Sequence, residues 1–251
     1  MKAIGILGGM GPEATVELYL RLVQAFQARG AVYDKDFPSI YIYNLPSPDV
    51  AEKENDILKL LIDSLRKLQK MGSEIIAVPC NTVTCIIDKN VNIPGFVSIV
   101  KETVRKVKEC EYKKVGLLCT KLTLKTGVYQ SLLRNEGIDF VLPTKSEREE
   151  ITNIILNILA GKKLPTDKLI LEKIAIRMIK EGADAIVLGC TELPLLFKNS
   201  SIRTIDTIQI LAEAIVRESN GCDSVTDSVS ACGAEGAGSN PARDPKKGDK
   251  I

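Results

Sequence analysis

The sequence predicts an α/β protein of two similar domains, each built on a mainly parallel sheet, related by a pseudo-twofold axis with an active site in the cleft between them. Three observations carry this expectation. Short, wholly apolar runs alternate with longer amphipathic ones, as strands covered on both faces alternate with helices. The alternation restarts near residue 113, where "KKVGLLCT" repeats the character of "KAIGILGG", and "KEGADAIVLGCTE" repeats "KMGSEIIAVPCNT". The spacing is also kept: Cys80 lies 75 residues beyond Gly5, and Cys190 lies 74 residues beyond Gly116.

Taken in order, "AIGILGG" reads as a buried strand ending in glycines, and "PEATVELYLRLVQAFQA" as a helix with Pro12 at its start and apolar residues at helical spacing. "SIYIYNLP" is a second strand, "NDILKLLIDSLRKLQKMG" a helix closed by Gly72, and "EIIAVPC" a third strand. "CIIDKN" belongs to a short helix, and "GFVSIV" leads into the helix "KETVRKVKEC". In the second round "KKVGLLCT" is a strand, "TGVYQSLLRNEG" a helix and "DFVLP" a strand. Helices over "EREEITNIILNILAG" and "LILEKIAIRMIKEG" follow, then the strand "ADAIVLGC". "SIRTIDTIQILAEAIVRES" supplies a short strand and a closing helix. The expected domains are therefore residues 1–97 completed by 201–218, and residues 98–200. Residues 219–251 hold few branched apolar side chains and are expected to form a disordered tail.

Composition narrows the function. A chain of 251 residues with 45% hydrophobic and 26% charged side chains, and 34 basic against 32 acidic residues, has an ordinary globular balance that points to neither nucleic acid nor membrane. Aromatic residues make up 4% and tryptophan is absent, which disfavours a platform for stacking bases. The longest apolar runs are too short to span a bilayer, and the first residues lack the pattern of a secretion signal, so a cytoplasmic protein is expected. Histidine is absent, which removes imidazole acid/base chemistry and histidine metal sites; no metal site is read.

Seven cysteines, at 80, 85, 110, 119, 190, 222 and 232, follow no regular spacing, and their odd count argues for free thiols. Cys80 and Cys85, with four residues between them, fit neither a zinc knuckle nor a Cys-x-x-Cys motif, although a thiol redox pair is the alternative they raise. Cys110 and Cys119 read as small core residues. Cys80 and Cys190 differ from these, because each ends a strand at the matching point of the repeat. Ligands of α/β proteins bind beyond the carboxyl ends of strands, so the two thiols are expected to face one pocket.

Opposed thiols suit the inversion of a carbon centre, in which a proton leaves one face and another arrives at the opposite face. The ordinary thiol pKa of about 8.5 is lowered at helix N-termini and beside cations, which would populate thiol and thiolate together near neutrality. Asn81-Thr82 and Thr191-Glu192 follow the cysteines at strand-to-helix junctions, where a carboxylate can be held, and Thr82 and Thr191 can equally serve as helix caps. The turn "GGMG" offers further backbone donors but lacks the spacing of a dinucleotide site. Met10 within it can also be simple packing. Two similar halves around a cleft also describe solute-binding modules, which the matched thiols and the lack of a secretion signal disfavour.

"GILGGMGPEAT", "PCNT", "VGLLCT" with "TGVYQ", and "GCTELPLL" together resemble the aspartate/glutamate racemase family, over roughly residues 1–217. The resemblance implies a two-base amino-acid racemase that uses no pyridoxal phosphate or other cofactor and acts on a small amino-acid substrate as a homodimer. Its motifs assign Cys80 and Cys190 as the acid/base pair and Met10, Asn81, Thr82, Thr120, Thr191 and Glu192 to the substrate site. The sequence departs from the family at Val50 and Leu159, where aspartate-specific members commonly carry Arg and Lys, and at Thr84 and Leu122. A related isomerase, decarboxylase or broad-specificity racemase for another small carboxylic or amino acid is the alternative those departures raise.

Overall fold

The computed structural model describes residues 1–47, 54–162, 164–197 and 200–220; Val50, Cys222, Cys232 and nearly all of the expected tail lie outside the described residues. The first sheet holds β1 (Ile4–Gly8), β2 (Ile40–Asn44), β3 (Ile75–Ala77) and β4 (Phe96–Val97), in the order β2-β1-β3-β4. The second holds β5 (Lys114–Cys119), β6 (Asp139–Val141), β7 (Ala185–Gly189) and β8 (Thr204–Asp206), in the order β6-β5-β7-β8. Every pairing is parallel. The two halves thus share one topology, strand for strand.

The connecting helices of the first half are α1 (Pro12–Ala28), α2 (Glu54–Lys70), α3 (Asn81–Asn90) and α4 (Ile99–Glu109). Those of the second are α5 (Lys121–Thr126), α6 (Val128–Asn135), α7 (Lys145–Leu159), α8 (Pro165–Lys180), α9 (Pro194–Phe197) and α10 (Thr207–Ser219). Local chemistry sets their starts. Pro12 occupies the first turn of α1, where its missing N–H costs nothing. Ser98 caps α4 by accepting from the Lys101 N–H at 3.1 Å. Thr144 and Glu147 form a reciprocal capping box at the head of α7, through bonds of 3.3 and 2.7 Å. The short α5 and α9 were not expected from the sequence, since neither is long enough to show a helical period.

Alternation along each strand divides the side chains between two layers. Ile4 and Ile6 of β1, Ala77 of β3, Leu117 of β5 and Val187 of β7 belong to one continuous apolar cluster with Leu18 and Leu22 of α1, Val104 of α4, and Leu211 and Ile215 of α10. Both sheets therefore share an inner core. On the outer side of the first sheet, Ile57, Leu61, Leu65 and Leu68 of α2 cover Leu7 and Ile76. Ile151, Ile154, Ile158, Leu171, Ile174 and Met178 of α7 and α8 cover Leu118, Ile186 and Leu188 of the second. Among the described residues, no helix is long and apolar enough to cross a membrane.

The segment 201–218, expected to complete the first half, divides between the two. Strand β8 adds to the second sheet beside β7, whereas α10 packs on α1 and α4. Arg21 of α1 clamps this junction with bonds to Glu17 at 2.9 Å and to Asp206 at 2.7 Å, and the other Asp206 oxygen caps α10 through the N–H groups of Ile208 and Gln209. Cys80, Cys85, Cys119 and Cys190 are free thiols. Cys110 departs from the expectation of a free core thiol: it is disulfide-bonded and only half-buried, at the C-terminus of α4, where the helix end meets solvent.

Gly9 marks the tightest point of the turn after β1. Its φ is 97°, and a Cβ there would lie 2.4 Å from the Leu45 carbonyl oxygen. Gly9→Ala should therefore destabilise the protein by about 3 kcal/mol or more, read as a lower midpoint in urea denaturation, combining backbone strain with steric overlap. A midpoint unchanged from wild type would show that the turn relaxes freely.

Candidate active site

Strand register places Cys80 and Cys190 at equivalent points of the two sheets. Gly5 of β1 lies opposite Ile76 of β3, and Gly116 of β5 opposite Ile186 of β7. Each cysteine stands four residues past that partner, just beyond the carboxyl end of its strand. The two glycines serve the same purpose: a Cβ on either would fall 2.6 Å from a neighbouring side chain, the Ser73 Oγ for Gly5 and the Ile186 Cδ1 for Gly116. The repeat visible in the sequence is thus a repeat of packing.

The thiols share one electrostatic neighbourhood, in which Glu192 acts on both and Cys190 also feels Cys80. Cys190 is 7% exposed and donates its S–H to Glu192 Oε2 at 2.9 Å. Thr191 donates its hydroxyl to the same oxygen at 3.2 Å. Cys80 is the residue that enters α3. Burial pushes its thiol up to about 12; the backbone N–H groups of Val83 and Thr82 pull the other way, and the charge of Glu192 adds to the rise. Cys190 is likewise raised, first by burial and then by the charge and hydrogen bond of Glu192. The expected lowering at a helix N-terminus is overturned, because desolvation outweighs the few N–H groups aimed at each sulfur. Burial therefore disfavours the anion of both cysteines.

The remaining expected residues fall into three arrangements. Thr82 of α3 meets Thr120 and Thr123 across the junction of the halves, with Oγ1–Oγ1 distances of 3.0 and 2.8 Å, and Thr120 and Thr123 are 2.9 Å apart. These hydroxyls close a triangle that joins α3 to the start of α5. Asn81 is 2% exposed, and its amide is held at both ends: Tyr129 donates to Oδ1 at 2.6 Å, and Nδ2 donates to Thr207 Oγ1 at 3.1 Å. Met10 is part-buried against the outer core of the first half. In the same turn the Gly9 N–H donates to Thr15 Oγ1 at 3.0 Å, so it serves the turn itself.

Gly11, which opens α1, brings the first half against the second. A Cβ there would lie 2.9 Å from Leu159 Cδ2 and 3.0 Å from Glu192 Oε1. The departure from the family at Leu159 therefore borders the carboxyl group that holds the Cys190 proton. Thr123, Tyr129 and Thr207 were not expected at the site. Thr123 lies one helical turn after Thr120, a spacing that could have suggested it; Thr207, 126 residues from Asn81, carried no local signal. Among the described residues, no group of three or more His, Cys, Asp or Glu side chains could hold a metal ion.

The family model described as Asp/Glu/Hydantoin racemase matches residues 7–215. The chain is 29% identical over 222 residues to the broad specificity amino-acid racemase RacX of Bacillus subtilis (strain 168), a match spanning 85% of this chain and 96% of that one. Among solved structures, Picrophilus torridus aspartate racemase is similar with a TM-score of 0.74 at 27% identity, covering 88% of this chain and 95% of the other. An aspartate racemase homologue from Pyrococcus horikoshii OT3 gives a TM-score of 0.74 at 30% identity, over 88% of this chain and 100% of that one.

The desolvated thiols have a direct chemical consequence. Thiolate fraction, and with it the alkylation rate of Cys80 by iodoacetamide, should rise about tenfold per pH unit from pH 7 to 10, because the titration lies above that whole range. A rate that levels off near pH 8.5, followed by peptide mass spectrometry, would show an ordinary solvated thiol instead.

Proposed function

Because the chain belongs to the Asp/Glu/hydantoin racemase family, we propose that it is a cofactor-independent amino-acid racemase acting on aspartate, glutamate or both, with Cys80 and Cys190 as a two-base pair. The observation that carries this reading is the equivalence of the two cysteines in the paired sheets, together with the charge of Glu192 that bears on both sulfurs. One sulfur, as thiolate, takes the α-hydrogen from one face of the substrate as a proton. The opposite S–H gives its proton to the other face, and that sulfur is left as the thiolate. Exchange with solvent then restores the starting state. The two enantiomers use the pair in opposite senses.

The resting state favours a division of labour. Cys190, bonded to Glu192, is held as the protonated partner ready to deliver. Cys80 receives two backbone N–H groups that favour its anion, so it is the better placed to accept. Both thiols resist ionisation when empty of substrate. An incoming ammonium group supplies the positive charge that eases it, so the base forms where it is used. In this reading Met10, Thr82, Thr120, Thr191 and Glu192 surround the amino acid, Glu192 also accepting the Cys190 S–H, while Asn81, which the motifs also assign to the site, holds the segment that carries Cys80. The proposal includes a homodimer working in the cytoplasm.

A second reading widens the substrate. Leu159 lies where aspartate-specific relatives commonly carry lysine, and it faces Gly11 beside Glu192. An apolar group and a carboxyl group there offer a substrate side-chain carboxylate no cation. This favours a broad-specificity racemase, in keeping with the similarity to the Bacillus subtilis protein.

Proton NMR in deuterium oxide tests both readings without added cofactor. Both enantiomers of aspartate or glutamate should lose their α-hydrogen signal and racemise, and comparable rates on neutral amino acids would decide for broad specificity. Cys80→Ala and Cys190→Ala should each lower racemisation by about 10³-fold or more. Full activity in either variant would falsify the two-base assignment.

A further inference from the structure

A chain of hydrogen bonds runs through the interior and touches both cysteine-bearing segments. Tyr129 of α6 donates to Asn81 Oδ1 at 2.6 Å, Asn81 Nδ2 donates to Thr207 Oγ1 at 3.1 Å, and Thr207 donates to the Leu188 carbonyl at 3.0 Å. Asn81 is covalently next to Cys80. Leu188 precedes Cys190 by two residues on β7. The exposures are 1% for Tyr129, 2% for Asn81, 0% for Thr207 and 1% for Leu188. Each link crosses between elements far apart in sequence, and together they run from the second half to the first and back again.

We infer that Thr207 and Tyr129 are positioning residues that fix the separation of the two thiols by tying the segment after Cys80 to the strand before Cys190. The chemistry of the links supports this. Asn81 has one acceptor oxygen and one amide nitrogen, and each has its own partner, so the side chain cannot flip without losing both bonds. Thr207 accepts from one half and donates to the other, and among the described residues its hydroxyl is the atom through which the Cys80 segment is bonded to the backbone of β7. Sequestered from water, such bonds are stronger and more sensitive to geometry than exposed ones. Thr207 is moreover the first residue of α10, next to Asp206, which caps the helix and binds Arg21. Its backbone is thus anchored independently of the chain it completes.

Proton transfer across a carbon needs this rigidity. Two acid/base groups on opposite faces must both reach the same atom, and a misplacement of about 1 Å can cost on the order of 10²-fold in rate. Asn81 was expected to line the substrate site. Its committed hydrogen bonds assign it a part in holding the segment that carries Cys80. Neither Tyr129 nor Thr207 touches either sulfur in the described contacts, so their effect is exerted through the backbone.

This inference rests on the two-cysteine reading, and Thr207→Val and Thr207→Ser, with Tyr129→Phe beside them, separate the two. Val keeps the shape of Thr and loses the hydroxyl; Ser keeps the hydroxyl. In Thr207→Val kcat should fall about tenfold or more with KM changed by less than about twofold, the solvent deuterium isotope effect on kcat should rise, and Thr207→Ser should restore both. A readout independent of turnover is the rate at which the bifunctional thiol reagent dibromobimane joins Cys80 to Cys190, identified by peptide mass spectrometry. It should be slower in Thr207→Val and Tyr129→Phe than in wild type and Thr207→Ser, in protein shown by circular dichroism to be folded. Unchanged cross-linking in folded Thr207→Val overturns the inference, as does absence of the cross-link in wild type or equal impairment by Val and Ser. Slower cross-linking in Thr207→Val than in a wild-type protein that racemises nothing would uphold the positioning role and reject the proposed reaction.

Discussion

The apolar layer that the two sheets hold in common is the constraint on which the site depends. Ile4, Ile6 and Ala77 from one sheet and Leu117 and Val187 from the other are parts of a single cluster, so the halves cannot slide without opening the core. Because both sheets have the same strand order and register, locking them together also locks the positions of their strand ends. Cys80 and Cys190 inherit their relation from packing some distance away. The polar links across the junction, through Thr82 with Thr120 and Thr123 and through Asn81 with Tyr129 and Thr207, then refine a placement already set by burial.

The same burial that surrounds the two thiols opposes their ionisation. Desolvation raises both thiols, and in neither does the helix start or the neighbouring N–H groups prevail. Glu192 sharpens the conflict, since it accepts a hydrogen bond from the Cys190 S–H and repels negative charge on either sulfur. Such an arrangement keeps the empty protein chemically quiet. In the proposed reaction the ammonium group of a bound amino acid would change the local charge beside the sulfurs, and the reactive form need exist only then.

Most of the architecture could be read from the chain because its signals are local. The run Pro12–Ala28 carries its own start signal and period, and the strands of β1 and β7 are buried on both faces, which makes them apolar throughout. The paired cysteines were legible because the fold repeats and the spacing repeats with it. What escaped was non-local or too short. Helices α5 and α9 span six and four residues, less than a periodic pattern requires. The partnership of Asn81 with Thr207 joins residues 126 apart, and no neighbourhood in sequence records it. The direction in which the thiols are shifted depends on how much protein surrounds each sulfur, a property of the assembled core.

Although the halves share a plan, the residues after their cysteines have diverged. Thr82 follows Cys80 by two positions and joins a ring of hydroxyls; Glu192 follows Cys190 by two positions and carries an acid. Left and right hands of a substrate would therefore encounter unlike surroundings: one meets a sulfur leaning on a carboxyl group, the other a sulfur at the mouth of a helix. Perfect mirror treatment of the two forms is beyond such a pair, even though the end point of their interconversion is fixed by thermodynamics alone.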